Sequence, residues 1–429
     1  DHNPAVRPVL GLFEGVVSGA ADGYARMSGK SAANLLHLGP GLGNAFANIH
    51  NAKKAFSPMI NIVGDHASYH LKHNAPLTSD LDGLAKSSSD WVKRVTSPEQ
   101  ITQCANDAWK AANESPGNIA TLIVPADYAW SDIQTDLPKK VELNNRKSVD
   151  NKLIEAAYKL LLKPNSMLYL GGKFLDEECL KFAAQIATKT GCRLVTDTFV
   201  SRIRRGAGLP IVQQVPYFSE MAEDFLQGTE SIVFIGTKPP VSFFAYPDKK
   251  SFLSPDEAEL FELCSVEENG YEALALLSEL SGSPKIANEL IRPYIADVPT
   301  SGDLDVTTLG PLIADIMPEE CIVSDESATS SLIVTPHALQ AKPHDWLALT
   351  GGSIGQGLPL AIGASIAKPD RPVITLHGDG GAMYTVQALW TQARENLNIT
   401  NIIFSNRSYE ILKIELDRVQ AVETGERAA

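Results

Sequence analysis

The sequence predicts an α/β protein with parallel sheets flanked by helices. Short apolar runs, such as Met59–Val63 and Met167–Leu170, recur along the chain and alternate with segments of helical periodicity. This alternation is typical of parallel strands joined by helical crossovers. Glycine-rich turns follow several of the runs, as at Gly171-Gly172 and Gly378–Gly381. At 429 residues the chain is longer than one hydrophobic core usually serves, so two or three domains are expected.

The predicted elements fall into three blocks, which we interpret as domains: residues 1–135, 150–285 and 300–429. A polar stretch around residues 136–147 separates the first two blocks, and a proline-containing connector precedes the third. Within the first block, we expect a strand to end at Leu38 and a glycine turn to follow over Gly39–Asn44, before a helix that runs to about Ala55.

Composition excludes several classes of partner. The chain has 44% hydrophobic and 21% charged residues and a net charge of −14, without a long basic run, so nucleic acid is not an expected partner. No apolar run approaches the ~20 residues that span a bilayer. The five cysteines are scattered without a Cys-x-x-Cys pair, which favours reduced, mostly buried thiols in a cytoplasmic protein. Because the chain begins with Asp1, a lost leader stays open.

Two oxygen-bearing side chains follow two apolar strands of the third block. Val373–Leu376 leads into His377-Gly378-Asp379-Gly380-Gly381, and Ile402–Phe404 leads into Asn406, which lies 27 residues after Asp379. We expect the strands to be adjacent and parallel, joined by a helical crossover. Oxygen ligands at their carboxyl ends suit Mg²⁺ held against phosphates, and the glycines let backbone N–H groups approach an anion.

That arrangement resembles the diphosphate-binding motif of thiamine-diphosphate (ThDP) enzymes. In this family an Asp of Gly-Asp-Gly, a downstream Asn and a backbone carbonyl two residues further hold the metal. The resemblance implies that Asp379, Asn406 and the main-chain oxygen of Ser408 bind Mg²⁺. It also implies that Gly378, Gly380 and Gly381 bind the cofactor. A Gly-Asp-Gly alone occurs in many turns, so the specificity comes from the flanking strands and the distant Asn.

A second match lies near the beginning of the chain. Residues 14–26 read Glu-Gly-Val-Val-Ser-Gly-Ala-Ala-Asp-Gly-Tyr-Ala-Arg, which is similar to the first helix of the family's pyrimidine-binding domain. The resemblance makes Glu14 the catalytic residue, because a glutamate hydrogen-bonded to the pyrimidine N1′ activates the cofactor. The alternative is that Glu14 only decorates the first turn of a helix, where the helix dipole favours an acid.

A third match supplies further cofactor contacts. The segment Thr350–Pro359 resembles the family segment that bends ThDP, so Ile354 corresponds to the side chain wedged between the rings. The carbonyl of Gly352 then accepts from the 4′-amino group. Ile354 could instead fill the core beneath a glycine turn. Thr329 and Ser330 follow a predicted strand and offer hydroxyls to the diphosphate, although such residues often only cap helices.

The middle block has the rhythm of a nucleotide-binding fold without a dinucleotide fingerprint, since Gly171-Gly172-Lys173-Phe174 is not a Gly-x-Gly-x-x-Gly. Acetolactate synthases, within the family, bind FAD in this domain. The flavin-contacting segment has no match here, so FAD is less favoured than a structural middle domain. Phe243, Phe244 and Tyr246 are interpreted as core or interface residues.

The resemblance covers nearly the whole chain but leaves both ends short. The family has a further strand–helix unit before Asp1 and one or two after Ala429, so the pyrimidine (1–135) and diphosphate (300–429) domains are expected to be truncated. Because one subunit's pyrimidine domain faces another's diphosphate domain in this family, a homodimer or homotetramer with the active site at the subunit interface is implied.

The branch that fits best contains acetolactate synthases and benzoylformate decarboxylases. We therefore expect a ThDP- and Mg²⁺-dependent enzyme that decarboxylates a 2-keto acid and couples the enamine to a second carbonyl. Simple decarboxylation, a non-catalytic ThDP-fold protein and another Mg²⁺–phosphate enzyme remain alternatives. Phe56 precedes Ser57-Pro58, where the benzoylformate enzymes carry a histidine. His66, His70 and His73 are either a substitute relay or ordinary loop residues.

Overall fold

A computed structural model describes residues 6–133, 138–139, 141–282, 285–294, 298 and 301–419. The strands of these residues are β1 (Ala32–His37), β2 (Met59–Asp65), β3 (Trp91–Arg94), β4 (Ile119–Pro125), β5 (Ser166–Leu170), β6 (Arg193–Thr196), β7 (Ile203–Arg205), β8 (Gln213–Gln214), β9 (Ser231–Ile235), β10 (Glu259–Cys264), β11 (Ile322–Glu326), β12 (His344–Ala348), β13 (Val373–Gly378) and β14 (Ile399–Phe404).

The α-helices of the described residues are α1 (Glu14–Ser28), α2 (Leu38–Lys54), α3 (Leu81–Ser88), α4 (Ile101–Asn113), α5 (Ala126–Trp130), α6 (Asn151–Leu161), α7 (Glu177–Thr190), α8 (Ser219–Leu226), α9 (Gly270–Ser281), α10 (Val306–Ile316), α11 (Ser331–Ala338), α12 (Gly357–Ala367), α13 (Asp379–Ala382), α14 (Ala388–Arg394) and α15 (Glu410–Arg418). Short 3-10 turns lie at Leu71–His73, Pro98–Gln100, Asn288–Leu290 and Ala328–Ser330.

The chain forms two compact units. The first comprises Asp1–Asn145, Ile322–Glu326 and Ala348–Phe404, and the second comprises Arg146–Cys321, Ser327–Leu347 and Ser405–Ala429. The three domain ranges expected from the sequence stay a prediction, and their limits at 135, 300 and 429 lie outside the described residues.

Parallel strands dominate both units, which confirms the predicted fold class. In the first unit, four strands pair in the order β1-β2-β4-β3, and β11, β13 and β14 pair side by side. In the second unit, five parallel strands take the order β10-β9-β5-β6-β8, and β7 pairs antiparallel with β12. The strands β5 and β9 are buried at every residue. Continuous apolar runs such as these are expected where helices cover both faces of a sheet.

The helices α1 and α12 of the first unit pack at unusually short range through glycines. A Cβ atom on Gly23 would lie 1.9 Å from the carbonyl oxygen of Leu360, and one on Gly363 would lie 1.8 Å from that of Ala20. Neither position can carry a side chain without moving the backbone. Part of the glycine-rich pattern at residues 14–26 therefore serves helix packing.

The glycine turn predicted over Gly39–Asn44 is wrong, because these residues form the first turns of α2, which begins at Leu38. Leu38 itself adopts a left-handed conformation with φ of +56° and makes the change from strand to helix. A Cβ on Gly39 would lie 2.0 Å from Ser79 Oγ and 2.9 Å from Ser79 Cβ, so a side chain at this position of α2 would displace Ser79.

All five cysteines are buried and none forms a disulfide bond, as expected. Among the described residues, no helix combines the length and the apolar character that crossing a bilayer requires.

The second unit contains a buried neutral imidazole at His344. Its Nδ1 lies 2.7 Å from the carbonyl oxygen of Lys342, and its Nε2 lies 3.3 Å from Arg205 Nε. A ring with its proton on Nδ1 satisfies both contacts. Burial, followed by the charge of Arg205, lowers the pKa of His344 to about 3.

This depressed pKa predicts acid sensitivity. The unfolded chain takes up the proton below about pH 6.5, while the folded protein resists until about pH 3, so the free energy of unfolding should fall as pH is lowered through that window. His344→Gln should remove up to ~1.4 kcal/mol of this loss per pH unit, measured from urea unfolding at pH 7 and pH 5. The exposed His70 provides the control substitution His70→Gln, which should retain the wild-type dependence. Equal pH dependence in His344→Gln would contradict the prediction.

Candidate active site

Glu14 is the first residue of α1 and lies against the beginning of α2. Its Oε2 accepts a hydrogen bond of 3.1 Å from Asn44 Nδ2. A Cβ atom on Gly41 would lie 3.4 Å from Glu14 Oε1, so the glycine leaves space beside the carboxylate. The carboxylate is half-buried. It is thus held by a side chain while it stays open to a ligand.

The turn that carries Ile354 is clamped by one asparagine. Asn51 Nδ2 donates to the carbonyl oxygen of Ser353 at 2.8 Å, and Asn51 Oδ1 accepts from the Ser353 N–H at 3.2 Å. Gly352 and Gly355 both adopt positive φ, at +74° and +96°, where glycine avoids the steric cost that a Cβ brings. Ile354 is 36% exposed at this turn. Such exposure disagrees with the alternative that Ile354 fills the core.

A single amide group connects the Glu14 helix to the Ile354 turn. Asn48 Nδ2 lies 2.8 Å from the carbonyl oxygen of Gly15 and 3.3 Å from that of Gly355. Glu14 and Ile354 each precede one of these two residues in the chain. The first unit therefore places the predicted catalytic glutamate and the predicted wedge residue each next to a residue that this buried asparagine contacts.

Glu326 holds the following residues of the same turn. Its carboxylate accepts hydrogen bonds from three consecutive backbone N–H groups, at 2.5 Å from Gly355, 2.7 Å from Gln356 and 2.7 Å from Gly357. These N–H groups lead into α12, where an anion is favoured by the unpaired N–H groups and the dipole of the helix. Through these three hydrogen bonds, Glu326 fixes the conformation of the turn.

His377 lies beside this carboxylate. Its Nε2 is 3.3 Å from Glu326 Oε2, an ion pair without hydrogen-bond geometry. Burial opposes charge on both groups, but each partner's charge outweighs it. The pKa of His377 is therefore raised and that of Glu326 lowered from its usual value. A Cβ on Gly381 would lie 2.8 Å from Glu326 Oε1 and 3.0 Å from His377 Cε1, so the buried pair also supports the glycine turn after β13.

A second buried ion pair joins α1 to the Ile354 segment. Arg26 and Asp22 are paired through two hydrogen bonds of 2.8 and 2.7 Å. Arg26 also donates to the carbonyl oxygen of Ala348, and Gln356 Nε2 donates to Asp22 Oδ2 at 2.6 Å. The sequence analysis assigned no role to Asp22, Arg26, Gln356, Glu326 or His377. A charged residue at an otherwise apolar strand end was the available signal for the last two.

Asp379 begins the short helix α13 directly after β13. Its Oδ1 accepts from the Gly380 N–H at 2.9 Å, and Gly378 is the N-terminal cap residue of the helix. The parallel register places Gly378 opposite Phe404. This confirms the predicted adjacent strands, and α13 and α14 form the crossover between them.

The remaining predicted site residues belong to the second unit. Thr329 and Ser330 lie on the 3-10 turn that leads into α11. Asn406 follows β14 by two residues, and its Oδ1 accepts from the Ser408 N–H at 3.0 Å. The first unit thus brings together Glu14, Gly352, Ile354 and Gly378–Gly381, while the second unit carries Thr329, Ser330, Asn406 and Ser408.

The donor chemistry fits a hard cation and a diphosphate. Across the described residues, no cluster of three or more His, Cys, Asp or Glu side chains could hold a metal. The predicted ligands are one carboxylate, one side-chain amide oxygen and one main-chain oxygen. Only the carboxylate belongs to the residue types of such a cluster. Oxygen ligands few in number are typical of Mg²⁺, which keeps several waters and is shared with substrate phosphates.

In the middle block, the ring of Phe174 packs closely against two glycines. A Cβ on Gly236 would lie 2.4 Å from the Phe174 ring, and a Cβ on Gly270 would lie 2.7 Å from it. Phe174 is buried between the loops that follow β5 and β9. This packing supports the structural interpretation of the middle block over flavin binding.

Three histidines, His66, His70 and His73, lie close to one another after β2. The rings of His66 and His70 lie 5.4 Å apart, and those of His70 and His73 lie 5.7 Å apart. His70 and His73 are exposed. Both interpretations of these histidines, a substitute proton relay and ordinary loop residues, stay predictions.

Two family models match parts of this chain. Residues 1–85 match the family model described as "Thiamine pyrophosphate enzyme, N-terminal TPP binding domain", and residues 328–428 match the corresponding C-terminal TPP binding domain. The chain is 44% identical to "Putative acetolactate synthase large subunit IlvX" of Mycobacterium tuberculosis, over 98% of this chain and 81% of the relative.

Two more distant matches extend the comparison. The chain is 26% identical to the benzoylformate decarboxylase of Pseudomonas aeruginosa, over 95% of this chain and 80% of the relative. The structure of the 4-hydroxybenzoylformate decarboxylase of Rhodococcus jostii RHA1 superimposes with a TM-score of 0.83 at 24% identity, covering 99% of this chain and 84% of the other, which shows a shared fold. On the strength of its two cofactor-domain matches and its extended identity to a relative of the same kind, this chain belongs to the family of thiamine-diphosphate-dependent enzymes.

Proposed function

We propose that this protein uses ThDP and Mg²⁺ to decarboxylate a 2-keto acid and to couple the product to a second carbonyl compound, as acetolactate synthases do. The strongest support is the first unit's arrangement of Glu14, Asn48 and the exposed Ile354 turn. The 44% identity to a relative named as an acetolactate synthase large subunit favours coupling over simple decarboxylation.

Each predicted residue has a role that its position supports. When bound, ThDP supplies the nucleophilic carbon and the electron sink that decarboxylation needs. The carboxylate of Glu14 would hold a proton at the pyrimidine N1′. Ile354 would separate the two rings, and the carbonyl of Gly352 would accept from the 4′-amino group. The hydroxyls of Thr329 and Ser330 would donate to the diphosphate.

The proposed Mg²⁺ ligands are Asp379, Asn406 and the main-chain oxygen of Ser408. Support comes from the parallel register, because Gly378 and Phe404 are paired and the first two ligands follow them by one and two residues. Backbone N–H groups of Gly378, Gly380 and Gly381 would then face the phosphate oxygens. Carboxylate and carbonyl oxygens are the ligands that Mg²⁺ prefers.

We also propose a homodimer or homotetramer, in the cytoplasm, with the active site at the subunit interface. Support comes from large apolar side chains that the first unit leaves exposed after α13 and on α14: Met383 at 68%, Tyr384 at 55% and Trp390 at 41%. Neighbouring exposed apolar side chains are typical of interaction surfaces.

Simple decarboxylation is the second candidate, favoured by the similarity to benzoylformate decarboxylase. The two functions differ in their products, since a decarboxylase releases an aldehyde whereas a coupling enzyme releases an acyloin. Pyruvate, benzoylformate and longer 2-keto acids should therefore be assayed with ThDP and Mg²⁺ for CO₂, aldehydes and coupled acyloins. Absence of turnover with all of them would favour the non-catalytic alternative.

Glu14→Gln tests the catalytic assignment. The amide cannot hold the proton that the carboxylate shares with the pyrimidine N1′, so kcat should fall by about 10²-fold or more. ThDP affinity should change far less, as measured by calorimetry. The exposed Glu99 offers a matched control, Glu99→Gln, which should retain full turnover. Wild-type turnover in Glu14→Gln would remove Glu14 from the mechanism.

Asp379→Asn tests the metal assignment. Loss of the negative charge should weaken ThDP binding at least ~10-fold at fixed Mg²⁺, and removing Mg²⁺ with EDTA should have the same effect on the wild type. Readdition of Mg²⁺ should restore binding to the wild type. The exposed Asp370 gives the control Asp370→Asn. ThDP affinity that is indifferent to EDTA would refute the metal site.

Glu326→Gln tests the support beneath the turn. The amide offers one acceptor where the carboxylate serves three N–H groups, and it leaves the His377 charge buried without its partner. We expect a loss of about 2–4 kcal/mol in the free energy of unfolding, measured in denaturant, together with weaker ThDP binding. Glu99→Gln again serves as the control and should stay within ~0.5 kcal/mol of the wild type. An unchanged free energy of unfolding in Glu326→Gln would show that the three bonds do not hold the turn.

A further inference from the structure

The second unit contains a cavity of about 170 Å³ that is separate from every residue assigned above. It is lined by Thr196, Val200, Ile203, Arg204, Arg205, Pro210, Ile211, Val212, Gln213, Gln214, Arg292 and Leu339. Three of these residues are arginines, and none of the lining residues in the described part of the chain is acidic. The cavity thus has cationic groups without a carboxylate in its wall.

The arginines differ in how far the protein neutralises them. Arg204 forms ion pairs with Glu320 and, at 3.6 Å, with Glu177 outside the cavity. Arg292 has no carboxylate within ion-pair distance among the described residues, and burial alone lowers the pKa of its guanidinium. A half-buried guanidinium without a counter-charge is costly for the folded protein. Arg292 is therefore the group that a bound anion would stabilise most.

Arg205 adds to the positive potential of this region. Its guanidinium carbon lies 3.5 Å from the centre of the Trp346 ring, and its Nε faces the neutral His344. The charges of Arg205 and Arg204 contribute to the depressed pKa of His344, whereas the charge of Asp345, which lies 3.8 Å from Arg204, opposes it.

The rest of the wall is largely apolar, apart from Thr196, Gln213 and Gln214. Val200, Ile203, Ile211, Val212 and Leu339 present aliphatic side chains to the same cavity. Inorganic phosphate would leave these side chains facing water, and a nucleotide exceeds the available volume. A ligand that suits both parts has one small anionic group and a short hydrocarbon chain.

We propose that this cavity binds a small carboxylic acid with a short aliphatic chain. Its carboxylate would accept hydrogen bonds from the guanidinium of Arg292, and its chain would pack against Ile211, Val212 and Leu339. Guanidinium groups suit this task because their planar N–H donors match the two oxygens of a carboxylate. The proposal is independent of the ThDP site, since it involves none of the residues assigned to that site.

Isovalerate is a suitable probe for the full chain. Its binding should be measured by isothermal titration calorimetry and by saturation-transfer difference NMR of its methyl protons, with and without ThDP and Mg²⁺. The neutral isostere isovaleramide should bind at least ~10-fold more weakly, because it lacks the charge that Arg292 needs. Inorganic phosphate should also bind more weakly, since it cannot cover the apolar wall.

Substitution of Arg292 locates the binding. Arg292→Gln should weaken isovalerate at least ~10-fold, and Arg292→Lys should weaken it less, because it keeps the charge without the paired donors. The matched control is Arg146→Gln: Arg146 is a half-buried arginine of the same unit that stacks on Phe174 and does not line the cavity. This control should bind as the wild type does. Thermal unfolding would confirm that each variant is folded. If Arg292→Gln does not fold, Arg292→Lys provides the test.

Several outcomes would overturn the proposal. Equal binding of isovalerate by the wild type and the Arg292 variants would place the ligand elsewhere, such as in the ThDP site. Isovaleramide binding as tightly as the acid would exclude recognition of the charge. Phosphate binding more tightly than isovalerate would make the cavity a simple anion site. Failure of the wild type to bind isovalerate at about 10 mM would end the proposal.

Discussion

The carboxylate of Glu326 is the interaction on which the candidate site depends. It accepts from three consecutive N–H groups of the turn at Gly355–Gly357 and pairs with the buried His377 beside Gly381. A buried anion is tolerable when its hydrogen bonds and its counter-charge compensate for lost hydration, and it is destabilising when either is removed. Two glycine turns that the sequence analysis treated separately are therefore supported by one charged pair.

The helix α1, which begins at Glu14, is likewise held in place by close packing and a buried ion pair. Its glycines allow α1 to approach α12 at backbone distance, and its Asp22–Arg26 pair ties the helix to Gln356. Most residues of the motif at 14–26 therefore pack and position the helix, and Glu14 is the residue that stays open to a ligand. Rigid support of this kind is what a site needs when a cofactor supplies the chemistry.

Local patterns predicted much of this protein. The apolar runs at β2, β5 and β13 are strands, the Gly378–Gly381 turn follows a strand, and the strands before Asp379 and Asn406 are parallel neighbours. The prediction was wrong at Gly39–Asn44, because these residues begin α2, where Gly39 leaves room for the close approach of Ser79. Local propensity could not reveal that contact, since its partner lies far along the chain.

By itself the sequence determined the α/β class, the alternation of strands and helices, and the residues typical of a ThDP enzyme, because these depend on period, composition and short spacing. Only the tertiary structure decided that Ile354 is exposed at a clamped turn, that Phe174 packs against Gly236 and Gly270, and that Glu326 serves three N–H groups. The physical reason is that exposure, close packing and the partners of a buried charge depend on residues that are distant in the chain and meet only when it folds.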